Sequence, residues 1–144
     1  MVEIPSILDA TQLFPSEMLP DMMNDHLNST QASDLWLTCD QNGEICGFCY
    51  AAPEALTDGT WNMLAIAVSP AHQGQGCGKA IVAALEKTLQ QHSVRLLIAD
   101  TSGTADFAAA RAFYRAAGYQ QEASIRDYWA AGDDKITFTK ALNL

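Results

Sequence analysis

The sequence predicts an α+β fold: a mixed, mostly antiparallel sheet with one parallel strand pair at its centre. Three observations carry this. Two β-rich runs flank Asp40-Gln-Asn-Gly43, whose Asn-Gly pair is a strong signal for an antiparallel hairpin. A strand, a glycine-rich turn, a helix and a second apolar strand follow over residues 60–100, and such a βαβ unit makes its two strands parallel. Two more strands around a polar turn close the chain, giving antiparallel hairpins on both sides of the parallel pair.

Taken in order, residues 1–33 say least. Asp9-Ala-Thr-Gln-Leu-Phe14 reads as one short helix and Ser16 to Leu27 as another, with apolar positions 18, 19, 22, 23 and 27 at helical spacing and Ser16 as cap. Asp34 to Cys39 and Glu44 to Ala51 are the hairpin strands, Pro53 to Gly59 a loop, and Thr60 to Ser69 the next strand. Pro70 has no amide hydrogen for a ladder and ends it. A helix from Gly76 to about His92 puts Ile81, Val82, Leu85 and Leu89 on one buried face. Val94 to Asp100 is a near-continuous apolar run, the mark of a central strand covered on both faces. After the loop Thr101 to Thr104, a helix from about Ala105 to Ala117 ends at Gly118. The last strands are Tyr119 to Arg126 and Lys135 to Ala141, joined at Ala131-Gly-Asp-Asp134. No repeat or linker interrupts this order, so residues 1–144 read as a single domain, long enough to bury a sizeable core.

Composition excludes several classes of function. Seventeen acidic against eight basic residues leave a net charge of −9, which disfavours nonspecific binding to nucleic acid or to an anionic membrane. The same charge favours approach of a cationic amine, though only within the ~8 Å reach of physiological salt, and an acidic surface also serves plain solubility. No apolar run approaches the ~20 residues of a membrane span. The opening Met-Val-Glu-Ile-Pro-Ser lacks a basic leader, so a cytoplasmic protein is expected.

The four cysteines are Cys39, Cys46, Cys49 and Cys77. Cys46 and Cys49 have the spacing of a metal knuckle, but an offset of three along a strand puts their side chains on opposite faces. Free, buried thiols in a reducing compartment and no metal site are expected. His26, His72 and His92 are scattered and read as surface or cap residues.

The residues that promise chemistry begin at Ile66-Ala-Val-Ser-Pro-Ala-His-Gln-Gly-Gln-Gly-Cys-Gly-Lys79. Gly74, Gly76 and Gly78 let successive amides point one way, the following helix sets the positive end of its dipole behind them, and Lys79 adds a full charge. This is an anion site, suited to a phosphate-bearing ligand. Its alternating glycines, with Ala80 after Gly78-Lys79, fit neither the dinucleotide pattern nor the nucleotide P-loop. Val68-x-Pro70-x-x-Gln73-x-x-Gly76-x-Gly78 resembles instead the acyl-CoA pyrophosphate loop of the GNAT superfamily of N-acetyltransferases. A second family feature follows in Arg111-Ala-Phe-Tyr114-Arg-Ala-Ala-Gly118-Tyr119, so the resemblance spans about residues 34–142.

The resemblance implies helices on both faces of the sheet and direct transfer of an acetyl or other acyl group from acetyl-CoA to an amine of a small molecule or peptide. It implies that the backbone of Ile66, Ala67 and Val68 meets the pantetheine arm, and that Gln73, Gly74, Gln75, Gly76, Cys77, Gly78 and Lys79 hold the pyrophosphate. It implies that Tyr114 lies against the cofactor and protonates the departing thiolate; the competing view of Tyr114 is a core aromatic beside Phe113. Cys77 reads as a small space-filler giving its backbone amide.

Here the chain departs from the family in several places. Some relatives place a glutamate where Asn62 stands; an amide takes no proton at neutral pH, so Asn62 can only hold a relaying water. Glu54, or a carboxylate near Asp100 or Asp127, is the other source of a base. An asparagine that often touches CoA is replaced in Asp106-Phe-Ala-Ala-Ala110. The family's opening strand would have to come from Val2 to Leu8, which Pro5 interrupts. Tyr128 and Trp129 are candidate walls for the acceptor. The alternative function is a non-catalytic acyl-CoA sensor of the same fold, and a homodimer through the sheet edge is compatible with either.

Overall fold

The structure, a computed structural model, describes residues 34–41 and 43–143. The helices expected at 9–14 and 16–27, and the strand at Val2 to Leu8, lie outside the described residues. Six strands form one sheet: β1 (Leu35–Gln41), β2 (Glu44–Pro53), β3 (Thr60–Val68), β4 (Leu96–Ser102), β5 (Gln120–Ala130) and β6 (Asp133–Ala141), in the spatial order β1-β2-β3-β4-β6-β5. Every pairing is antiparallel except β3 with β4. The predicted mixed sheet with a central parallel pair is what forms.

Between the parallel strands runs α1 (Cys77–Gln91), and after β4 comes a 3₁₀ turn (Ala105–Phe107) leading into α2 (Ala108–Ala116). Ile81, Val82, Leu85 and Leu89 form the buried face of α1, as their spacing predicts. They share one core with Met63 of β3, Leu97 and Ala99 of β4, Tyr114 of α2 and Phe138 of β6. Full burial of a leucine such as Leu85 or Leu89 is worth about 1.5–3 kcal/mol, so this face alone anchors the helix to the sheet. The two described helices also meet directly: a side chain added at Gly78 would lie 3.3 Å from the Phe113 ring.

Boundaries differ from expectation where backbone groups decide them. Val94 still belongs to the turn that ends α1, its N–H donating to the Leu89 carbonyl while Ser93 takes φ +62°, so β4 starts only at Leu96. Burial along β4 alternates, so it is not equally covered on both sides among the described residues. At the other helix the cap is Ala117, with Gly118 one step beyond at φ +94°. Lys140 Nζ caps that end from β6, donating to the Ala117 carbonyl at 2.9 Å. The final hairpin is longer than predicted because Gly132, at φ +78°, closes a tighter turn between Ala130 and Asp133.

One topological detail positions the site. β3 and β4 pair only through Thr60, Trp61 and Asn62 with Leu96, Leu97 and Ile98. Beyond Asn62, β3 stays with β2 as far as Val68, while β4 stays with β6 as far as Ser102. Two parallel strands therefore part in the middle of the sheet.

Candidate functional site

A cleft of about 660 Å³ lies along the free end of β3, beneath the glycine turn and beside α2. Ile66, Ala67 and Val68 form its strand wall; Gln73, Gly74, Gly76, Cys77, Gly78 and Lys79 form its loop wall. All nine are residues the sequence assigns to cofactor binding. Gln75, the tenth of that stretch, is exposed and does not line the cleft. His72, read from sequence as a surface residue, does line it, and its buried Nδ1 has no partner among the described residues.

The loop is built for an anion by its backbone. Gly74 and Gly76 sit at φ +78° and +84°, which L side chains rarely adopt, and a Cβ at either would meet nothing within 4 Å. Conformation, with open space above it, therefore requires glycine here. Gly78 is glycine for another reason, its close approach to Phe113 and Val68. α1 starts at Cys77 with no side-chain cap, and its first bond across the cap runs from Ala80 N–H to the Gly76 carbonyl. The amides of Cys77, Gly78 and Lys79 precede that bond, so they face the cleft end of the helix with the dipole behind them. Gln73 has a bracing task as well: its Nε2 donates to the Val68 carbonyl at 3.0 Å, pinning the loop to the strand.

From the 3₁₀ turn the cleft receives Asp106 and Phe107, and from α2 Ala109, Ala110 and Phe113, a mainly apolar wall. Tyr114 is not on it. It lies beneath, against the rings of Phe113, Tyr119 and Phe138, and is only 6% exposed. Its hydroxyl has no hydrogen-bond partner among the described residues. Burial first, then the Asp100 carboxylate and the Cys49 thiol, push the phenol up to about 12, so it holds its proton throughout the neutral range.

A second polar group gathers where the strands part. Asn62 Nδ2 donates to Glu54 Oε1 at 2.8 Å and lies 3.4 Å from Asp100 Oδ2. Asp100 Oδ1 accepts from Thr137 at 2.6 Å, and Lys135 Nζ stands 3.7 Å from its other oxygen. Asp100 is thus fully engaged, whereas Glu54 has an oxygen without a partner among the described residues. The Asn62 Oδ1 is buried and unpartnered, an acceptor aimed at nothing in the described chain. Asp127 stands apart: exposed, at φ +56°, its carboxylate accepts from Gly132 N–H at 2.9 Å and holds the hairpin turn. Tyr128 and Trp129 are half-exposed on the same hairpin, Trp129 donating to the Thr101 carbonyl at 3.2 Å at the end of β4.

Arg111, within the second family feature, is structural. Its guanidinium donates to the Ser102 and Thr104 carbonyls, both at 2.7 Å, and ties α2 to the end of β4. Sequence reasoning missed one association altogether. The Sγ atoms of Cys39, Cys46 and Cys77 lie within 4.8 Å of one another, and Cys49 is not among them.

The family model described as an acetyltransferase (GNAT) domain matches residues 32–121. No curated protein matches the chain in sequence. Among solved structures, a GNAT-family protein from Desulfovibrio desulfuricans is 27% identical with a TM-score of 0.89, over 96% of this chain and 90% of that one. The ribosomal-protein-S18-alanine N-acetyltransferase of Escherichia coli is 22% identical with a TM-score of 0.79, over 98% and 86%. A Salmonella typhimurium protein, solved with its cofactor acetyl-CoA, is 17% identical with a TM-score of 0.77, over 99% and 88%. At these identities the last two share the fold.

Proposed function

We propose, for a chain that belongs to the GNAT acetyltransferase family, that it binds acetyl-CoA in this cleft and transfers the acetyl group to a primary amine of a small molecule or peptide. The observation that carries the reading is the parting of β3 from β4 beside a loop of free helix-terminal amides. The residues present fit the cosubstrate. Open space above Gly74 and Gly76, the amides of Cys77, Gly78 and Lys79 and the Lys79 charge suit a pyrophosphate, and the bared backbone of Ile66 to Val68 suits an amide-bearing arm. Bound there, acetyl-CoA supplies a thioester carbonyl.

The chain's own groups then act on the amine and on the proton it sheds. When nitrogen attacks, a C–N bond forms, the C–S bond breaks, and one proton leaves the nitrogen while the sulfur gains one. Glu54, through its unpartnered oxygen, is the carboxylate placed to take a proton directly or through a water held by the Asn62 Oδ1. Tyr114 gives a proton to the departing sulfur. The phenol, raised to about 12 by burial, is protonated at neutral pH and so has a proton to give. Asp100, tied to Thr137 and Lys135, orients Asn62. Tyr128 and Trp129 wall the acceptor side.

A thermal melt with excess acetyl-CoA tests the reading. Ligand at a hundredfold over Kd adds about 2.7 kcal/mol, worth roughly 5–10 °C in a domain of this size. A rise with acetyl-CoA, followed by amine-dependent release of thiol in an acceptor screen, is the expected result. No rise at millimolar ligand would remove the cofactor assignment, and a rise without turnover on any amine would leave the sensor.

A further inference from the structure

We propose that Cys39, Cys46 and Cys77 form a three-thiolate site for a thiophilic d¹⁰ cation of the Zn²⁺ type, set directly behind the glycine turn. Three separate elements supply the sulfurs: β1, β2 and the first residue of α1. All three Sγ atoms lie within 4.8 Å of one another, and those of Cys46 and Cys77 are 3.1 Å apart. Three sulfurs around one ion at about 2.3 Å stand about 4 Å apart, so the Cys46–Cys77 edge opens by less than about 1 Å and the other edges close by less than about 1 Å. Isolated thiols in a core pack against carbon; here they pack against each other.

The surroundings suit an ion of this kind. Cys46 is fully buried and Cys77 nearly so, which excludes competing water, while Cys39 is partly exposed and leaves a way in. No carboxylate or imidazole joins the cluster among the described residues, so the donor set is all sulfur and selects soft cations over Mg²⁺ or Ca²⁺. Three thiolates around a divalent ion carry one net negative charge, and the N-terminus of α1 at Cys77 stabilises it. A free thiol is protonated at neutral pH, so the ion must displace protons to bind, and its affinity rises with pH. Cys49 is outside the site despite its knuckle spacing with Cys46.

The test uses the full chain, reduced, chelator-treated and handled without oxygen, titrated with Cd²⁺ as a spectroscopic probe. A sulfur-to-metal charge-transfer band saturating at one ion per chain is expected, with the partly exposed Cys39 thiol then protected from a thiol reagent and Zn²⁺ displacing Cd²⁺ in competition. Cys49→Ser retains the band. Cys46→Ser and Cys39→Ser each weaken binding tenfold or more; Cys39 is partly exposed, so its variant reports on the site even if Cys46→Ser folds poorly. A missing band at one equivalent, or a band that survives Cys39→Ser unchanged, overturns the proposal. So does loss of two titratable thiols in the chain as isolated, before any reductant is added, which would mark the cluster as a disulfide pair.

Discussion

The two halves of the proposed site, the cleft and the polar cluster where the strands part, are made in opposite ways. On the loop side, from Ile66 to Lys79, binding groups are backbone atoms: helix-terminal amides, a bared strand edge and two glycines at positive φ. On the side proposed for the acceptor, the polar groups are side chains drawn from distant points: Glu54, Asn62, Asp100, Lys135 and Thr137, with Trp129 bonded to the end of β4. A backbone site demands particular conformations, and those confine the sequence to a compact pattern. A side-chain site demands only that a few groups converge, which many sequences achieve. One half can stay fixed while the other changes partner.

Four substitutions or conditions break or sharpen this contrast, in falling order of effect. Tyr114 lies under both halves. Tyr114→Phe is expected to lower kcat by about 10²-fold or more while the acetyl-CoA Kd stays put, as isothermal titration beside steady-state kinetics would read. Equal kcat in the variant would reduce the residue to a core ring.

Alkaline stability comes next. The folded Tyr114 phenol at about 12 stands above its ordinary value near 10, so the folded state binds the proton more tightly. That stability is whole below pH 10 and lost as pH rises toward 12, up to roughly 2.7 kcal/mol at 1.36 per unit. The raised Cys49 thiol acts in the same direction from about pH 9 upward. Denaturant midpoints across this range should fall, and fall less in Tyr114→Phe.

Gly76→Ala strikes the backbone half alone. Forcing an L side chain to φ +84° costs about 1–2 kcal/mol, read as a lower denaturant midpoint, and the acetyl-CoA Kd should rise several-fold. Trp129→Ala strikes the acceptor half alone: KM for the amine should rise a few-fold with the acetyl-CoA KM unchanged. If both constants moved together, the division into halves would fail.

How much of this was legible in the sequence follows the same contrast. The glycine turn, α1 and its buried face could be read because local conformation and helical spacing fix them within 20 residues. The parting of β3 from β4 is a property of two strands over 30 residues apart, and no local pattern marks it. Asn62 was visible as the missing acid, but its bonds to Glu54 and Asp100 arise from tertiary contact. The cysteines make the point most sharply. The pair with a recognisable spacing, Cys46 and Cys49, does not form one group, while Cys39, Cys46 and Cys77, with no spacing to notice, converge.

The early end of the β3–β4 ladder has a further consequence, for isotope exchange. Strands at the centre of a sheet usually hold the slowest-exchanging amides, since every second one is locked to each neighbour. Past Asn62, the amides of β3 that point away from β2 meet no strand, so one of the innermost segments should take up deuterium quickly at alternate positions. A molecule laid along that edge, bonding to those groups as a strand would, should slow them selectively, leaving a protection pattern of period two as its footprint.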